Sequence, residues 1–403
     1  VEYSYFHIAD HENYRPLNGT LARFFRAVIV HGSRGGAQVS DGTIAQRWQA
    51  WLWKDRTGMP QGVSARKSGP SSCSPRDRLL GMPSPPASSS SPRCLLAVEI
   101  GGTKTQVVAG TPDGRIMDRR RFRVDRDRGA AGIRDCLAEA VTGFAEQWRP
   151  AAVGVGFGGP VDWRTGRIAH SHQVTGWDGF PLADWLAERA GAPAFVENDA
   201  NTAALGEALH GAGRGHDPVL YVTIGSGVGG GLVCGGGIYH GAPPGEAEIG
   251  HLRLDAAGRT TEALCSGWSL DARIRAAVAA APAGELARLA QADPGHEARH
   301  LGPALAAGDG LAAAILDEAA GWLALALSHA THLLHPEIVV LGGGVALVGE
   351  PLRAAVARHL ARLVMDAFAP GPRVALAALG EDAVPVGGLA LAEHRLGTAS
   401  SSF

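Results

Sequence analysis

The stretch Leu95–Thr105, LLAVEIGGTKT, decides the fold. Five of its first six residues are apolar, which is the composition of a buried strand. The chain then breaks at Gly101-Gly102-Thr103-Lys104-Thr105. Two glycines let the backbone approach a ligand closely. The turn amides, the Thr103 hydroxyl and the Lys104 ammonium are all donors, and together they suit an anion such as a phosphate. A second apolar run, Gln106–Thr111, follows at once, so the glycines belong to a tight β-hairpin. A Walker-type phosphate loop would continue into a helix instead. Read without its surroundings, the same stretch is also compatible with an ordinary glycine hairpin.

The hairpin logic recurs downstream. Val219–Ile224 is an apolar strand, Gly225-Ser226-Gly227-Val228-Gly229-Gly230-Gly231 a turn, and Leu232–Cys234 the returning strand. Two such hairpins in two domains could hold one polyphosphate from both sides. Around them the pattern alternates strand and helix, which is the signature of an α/β protein. Further strands are expected at Arg115–Val124, Ala151–Phe157, Pro193–Val196, Glu337–Leu341 and Arg373–Leu379. Helical spacing marks Ala130–Trp148, with Ile133, Leu137, Val141 and Phe144 on one side. Helices are also expected at Phe180–Arg189, Thr202–His210, Ser269–Ala281, Gly310–Leu334, Leu352–Val364 and Val384–Leu396. The strand at Pro193–Val196 delivers Glu197-Asn198-Asp199-Ala200-Asn201 to its end. Asp199, between a strand and a helix, can accept a hydroxyl proton; an Asp there is also a good helix N-cap.

These 403 residues are 45% hydrophobic, as in a globular protein, and allow two or three domains. A net charge of −2 provides no global field to attract nucleic acid or a membrane. No uninterrupted apolar run suggests a bilayer span, and the start has no basic-then-apolar secretory pattern. Cysteines 73, 94, 136, 234 and 265 stand far apart, which fits reduced thiols in a cytoplasm. Residues 1–93 differ from the rest, with twelve Lys/Arg against six Asp/Glu. They end in PSPPASSSSP at 83–92, a linker composition. Short helices fit Leu21–Val30 and Gln46–Trp53, and Ser40–Trp48 faintly resembles the start of a recognition helix. The apolar positions of a three-helix core are missing, so this segment reads as a disordered or non-native extension, with Met82 an alternative start. The domains expected are 94–207, a small α/β unit, and 208–383, a larger one, with the terminal helix near 384–403 returning to the first.

Five motifs now stand in order: IGGTKT, VENDAN, TIGSGVGGG, GEAEIGH and VVLGGGVA. Together they resemble the ROK family (repressors, open reading frames and sugar kinases) over about residues 95–396. The resemblance implies an actin/hexokinase-like, ribonuclease H-like ATPase fold, with two α/β domains around a cleft. It implies transfer of the γ-phosphoryl of ATP, carried with Mg²⁺, to a hexose hydroxyl, glucose by default and N-acetylmannosamine or fructose otherwise. By the same resemblance Asp199 is the general base. Asn198, Glu248 and His251 are the sugar contacts. Gly101, Gly102, Thr103 and Lys104, with Gly225, Ser226 and Gly227, face the phosphates, and Gly342, Gly343 and Gly344 face the adenosine. A homodimer is implied too. Sugar and ATP are then the partners, with neither nucleic acid nor a membrane.

Two departures from the family pattern matter. Glu99 stands where the family usually has Asp, one methylene longer at the metal–phosphate end. After His251, many members carry a cysteine cluster for structural zinc, then a sugar-binding Glu. Here Thr260–Leu270, TTEALCSGWSL, has only Cys265, so no zinc is expected. Leu264 and Trp268 are read as packing in its place. Glu262 is the nearest carboxylate, but its position does not match the motif, and it is left unassigned. Two alternatives come with the resemblance. One is a sugar-responsive repressor, which needs a DNA-binding unit that residues 1–93 do not supply; the other is a sugar-binding protein without catalysis, against which Asp199 weighs.

Overall fold

The structure is a computed structural model and describes residues 93–400, apart from 172, 173, 244 and 246. The expected helices at Leu21–Val30 and Gln46–Trp53 and the stretch Ser40–Trp48 lie outside the described residues. Two five-stranded sheets carry the fold. In the first, β1 (Leu95–Ile100) and β2 (Lys104–Gly110) form the opening hairpin, with Ile100 opposite Thr105 and Leu95 opposite Gly110. β3 (Ile116–Arg123) adds an antiparallel edge whose arginines keep it solvated. On the other side β4 (Val153–Phe157) and β7 (Ala194–Asn198) run parallel to β1, giving the order β3-β2-β1-β4-β7. Each parallel connection needs a crossover. α1 (Gly129–Trp148) and α2 (Leu182–Ala190) supply it, burying Leu137, Phe144 and Leu186 against Val98 and Val155. Full burial of each such side chain contributes about 1.5–3 kcal/mol.

The second sheet repeats this plan. β8 (Val219–Ile224), β9 (Val228–Cys234) and β10 (Gly237–Ile238) form the antiparallel side, and β11 (Ile338–Gly342) and β12 (Arg373–Leu376) the parallel side. β9 begins four residues earlier than the glycine run suggests, so Gly229–Gly231 are strand rather than turn. The glycines are there because other backbone comes close. A Cβ on Gly230 would sit 2.8 Å from the Ala247 carbonyl, and one on Gly231 2.8 Å from the Ala200 carbonyl.

α3 (Asp199–His210) likewise begins three residues before the expected Thr202. Its N-cap is Asn198, whose Oδ1 accepts from the amides of Ala200 (2.8 Å) and Asn201 (3.2 Å). That leaves Asp199 as the first helical residue rather than the cap. The terminal helix, α10 in the complete chain order (Ala383–Ser400), packs on α3, β1 and β4.

Between β10 and β11 lie α4 (Thr261–Cys265), α5 (Gly267–Ala280), α6 (Glu285–Ala292), α7 (Leu301–Ala306) and α8 (Gly310–Leu334); α9 (Glu350–Leu360) follows β11. Among the described residues α8 is, by length and composition, apolar enough to cross a membrane, although Asp317 and Glu318 interrupt its apolar run. Here it is a core helix. Leu316, Leu323 and Leu327 are buried with Leu341 and Val356, while Asp317 on the same helix pairs with Arg358 and His359 of α9.

Candidate active site

The parallel strands β4 and β7 end side by side, and such C-terminal strand ends are where open α/β sheets bind ligands. Gly158–Pro160 follow β4, and Asn198 ends β7 where Asp199 and Ala200 open α3. They face the β8–β9 hairpin across a cleft of about 370 Å³. The cleft brings together Asn198, Asp199, Glu248, His251 and the whole Gly225-Ser226-Gly227 turn. The first hairpin is not part of this lining; it stands behind it. The Gly158 amide donates to the Ile100 carbonyl (2.8 Å), and a Cβ on Gly158 would lie 3.4 Å from Asp199 Oδ2 and 3.7 Å from the Gly101 Cα.

Asp199 has the most altered chemistry in the cleft. Its Oδ1 accepts from the Ala200 amide at 2.8 Å. Burial, followed by the negative charges of Glu99 and Glu248, nevertheless pushes its pKa up to about 6. Glu99 is itself raised by burial, against hydrogen bonding from Gln106 and the charge of Lys104. The Gln106 amide donates to Glu99 Oε2, Arg121 Nε donates to Gln106 Oε1 at 3.1 Å, and the Lys104 ammonium lies 3.6 Å from Glu99 Oε1. Lys104 is therefore engaged by Glu99, and its expected place on a phosphate would be taken from that ion pair.

Glu248 and His251 sit at either end of one short 3₁₀ turn, with His251 Nε2 3.9 Å from Glu248 Oε2 and both side chains more than half exposed to the cleft. Asn198 uses its oxygen as a cap, and its Nδ2 reaches the Gly159 carbonyl only at 3.3 Å. Of the three expected adenosine glycines, Gly344 lines a pocket of about 270 Å³ that shares Gly225 and Ser226 with the cleft edge. Gly342 and Gly343 pack instead on strand β8, where a Cβ would meet the Tyr221 ring at 2.7 Å or the Ile224 backbone at 2.6 Å.

Glu262, left unassigned from the sequence, is in the cleft. Its Oε2 accepts from the Val228 amide at 2.9 Å, against the turn glycine Gly227. The available signal was local. Thr260 caps α4 through the Ala263 amide, which puts Glu262 in the first turn, at the helix end that faces the hairpin. The packing expectation for this segment holds for Leu264 and fails for Trp268. Leu264 and Cys265 are in the core, with the Cys265 thiol donating to the Ala319 carbonyl (3.6 Å) and pushed up to about 12 by burial. Trp268 is 64% exposed, because the first turn of α5 presents it to the 270 Å³ pocket rather than to the core.

Comparison with known proteins adds to this geometry. The sequence model of the ROK family matches residues 95–395. The chain is 31% identical over 315 residues to a glucokinase from Thermotoga maritima, covering 75% of this chain and 98% of the relative. Its structure is similar to that of a ROK family glucokinase from Streptomyces griseus in complex with glucose and AMPPNP, with a TM-score of 0.65 and 33% identity, covering 75% of this chain and 99% of the other. It is also similar in fold to a ROK family transcriptional regulator, a homolog of the E. coli MLC protein, with a TM-score of 0.68 and 20% identity, covering 76% of this chain and 79% of the other.

Proposed function

This chain belongs to the ROK family, and we propose that it is an ATP-dependent hexose kinase, with glucose its substrate and Asp199 its general base. The actin/hexokinase-like fold and the kinship to sugar kinases come with that membership. The observation that carries the proposal is Asp199 itself: a carboxylate with a pKa of about 6, in one cleft with Asn198, Glu248, His251 and the Gly225–Gly227 turn. A base poised near neutral pH can take a proton from a sugar hydroxyl as it attacks phosphorus, and this is the ordinary requirement of phosphoryl transfer to an alcohol.

Glu248, His251, Glu262 and the Asn198 amide would hold the ring hydroxyls, each side chain offering directional acceptors or donors. The turn at Gly225–Gly227 would meet the phosphates, and the pocket lined by Gly344, Trp268 and Leu347 would take the nucleobase, its indole offering a flat apolar face. Mg²⁺ carried with ATP would enter the same cleft, where the negative charges of Glu99 and Glu248 both act on Asp199 and a divalent cation would offset them. The loop beyond His251 is held by its own residues. An Arg253–Thr260 bridge, the Asp255–Arg259 ion pair at 2.5 Å and the Thr260 cap hold it.

Two outcomes follow. With Mg·ATP held well below its KM, kcat/KM for the sugar should fall about tenfold per pH unit below about pH 6, as Asp199 gains its proton in the free enzyme. A profile flat down to pH 5 would remove Asp199 from the base role. Trp268→Ala should raise KM for ATP about tenfold with KM for sugar within about twofold, and ATP should quench tryptophan fluorescence in the parent protein but less in the variant. Equal KM values for ATP would place the base elsewhere. The experiment that tests the reading as a whole is ADP release with a panel of hexoses and N-acetylhexosamines. No turnover in a folded protein that binds a sugar would favour a regulator instead.

A further inference from the structure

The cleft has two arms that must keep register. One is the end of β7, carrying Asn198 and Asp199; the other is the segment after β10, carrying Glu248 and His251. A buried carboxylate links the first arm to the start of the second. Glu197, with a side chain 1% exposed, accepts through Oε1 from the Asn198 amide (3.1 Å) and from Asn201 Nδ2 (3.3 Å). Its Oε2 takes a 2.6 Å hydrogen bond from His240 Nε2. A carboxylate only accepts, so the imidazole is the donor in that pair. Asn201 Nδ2 also reaches the Gly245 carbonyl at 3.2 Å, three residues before Glu248.

The His240 ring is held from a second direction. Trp163 sits in the turn between β5 (Val161–Asp162) and β6 (Arg167–Ile168), which directly follows the cleft-lining Gly158–Pro160. Its indole stacks on the imidazole with centroids 4.1 Å apart and planes 18° from parallel. The guanidiniums of Arg164 and Arg395 lie over the same indole at 4.7 and 4.8 Å. His240 is thus bonded to β7 and stacked on the β5–β6 turn, both of the first sheet's half, while its own backbone belongs to the segment leaving the second sheet.

We propose that His240 is a positioning residue for sugar: clasped between Glu197 and Trp163, it fixes the Glu248–His251 arm against the Asn198–Asp199 arm. Removing the clasp should loosen the sugar side of the cleft and leave the nucleotide side as it is, because the 270 Å³ pocket shares no residue with it. The inference rests on the sugar-kinase reading for its kinetic consequence but not for its structural one.

Two variants separate the two grips. His240→Phe keeps a ring over Trp163 and leaves Glu197 Oε2 without a donor; His240→Gln loses the stack and keeps an amide that can reach Glu197. In His240→Phe, KM for sugar should rise about tenfold or more, with KM for ATP within about twofold, and His240→Gln should recover most of the loss. Hydrogen exchange of the free protein gives the second readout: amides of Gly245–His251 should exchange faster in His240→Phe, while those lining the nucleotide pocket, such as Trp268 and Gly344, exchange as in the parent. A sugar KM unchanged in both variants, or sugar and ATP KM rising together with a fall in melting temperature, would overturn the proposal. If the parent phosphorylates no sugar, the kinase reading fails, and the exchange of Gly245–His251 still decides whether His240 holds the arm.

Discussion

Asp199→Asn should lower kcat for hexose phosphorylation by about 10²–10⁴-fold while sugar affinity changes by less than about threefold. The substitution keeps the shape of the side chain and an oxygen for the Ala200 amide, and removes only the ability to take the hydroxyl proton. The same change should stabilise the folded protein, which separates lost chemistry from lost structure. The folded pKa of about 6 lies above the ordinary value of 3.8, so the fold favours the protonated acid. The cost of ionising it is absent below about pH 4 and complete above about pH 7. Asparagine never ionises, so the variant should gain about 1–3 kcal/mol at pH 8 and nothing at pH 4. The lower half of that range allows for the partial opening of Asp199 to cleft water. Melting curves of parent and variant at the two pH values measure it. A variant less stable at pH 8 than the parent would make Asp199 a structural group.

The second large effect falls on stability. A Cβ on Gly387 would stand 1.8 Å from the Thr202 carbonyl oxygen, and one on Gly154 1.9 Å from the Gly388 carbonyl oxygen. Both obstacles are backbone and cannot swing aside, so α10 must move off α3 and β4. Leu389, Ala390, Leu391 and Ala392, all buried on that helix, would lose their packing. Gly387→Ala or Gly154→Ala should therefore cost about 4 kcal/mol or more and lower the melting temperature by about 10 °C or more, with insoluble expression at the extreme. Gly397→Ala is the control on the same helix. Its Cβ meets nothing within 4 Å, and alanine is the better helix former, so it should be neutral or stabilising by up to about 1 kcal/mol. A Gly387→Ala protein that melts with the parent would show that α10 is not pinned at this crossing.

The parts of this molecule that repeat or alternate are legible in the sequence. LLAVEI followed by a glycine turn reads as a hairpin because apolar burial and backbone freedom are both local properties. What failed were residues whose meaning depends on a neighbour far along the chain. Gly229–Gly231 looked like turn, since glycine is the usual turn residue, but they are strand glycines thinned to admit Ala247 and α3. Thr202 looked like the start of α3, yet Asn198 caps it earlier, and a side-chain cap leaves no apolar periodicity to detect. Trp268 looked like core because tryptophan is large and apolar, although only the direction of α5 determines that it faces a pocket.

The site shows the same division. Asn198, Asp199, Glu248 and His251 were found from short motifs, and the fold gathers them in one cleft. Glu262 stays unassigned from the sequence because the landmark that would align it, a cysteine cluster, is absent around it. His240 and Trp163 carry no motif at all; their stacking joins residues 77 positions apart, and only the three-dimensional arrangement makes them neighbours.

The most direct test of the kinase reading is a ³¹P spectrum of the protein with Mg·ATP and glucose, recorded over time beside the same mixture with Asp199→Asn. The account predicts conversion of the γ-phosphate signal into a sugar monophosphate together with ADP, at a rate about 10²–10⁴-fold lower in the variant. ATP persisting with the parent protein and every hexose offered, while the protein remains folded and binds sugar, would contradict it.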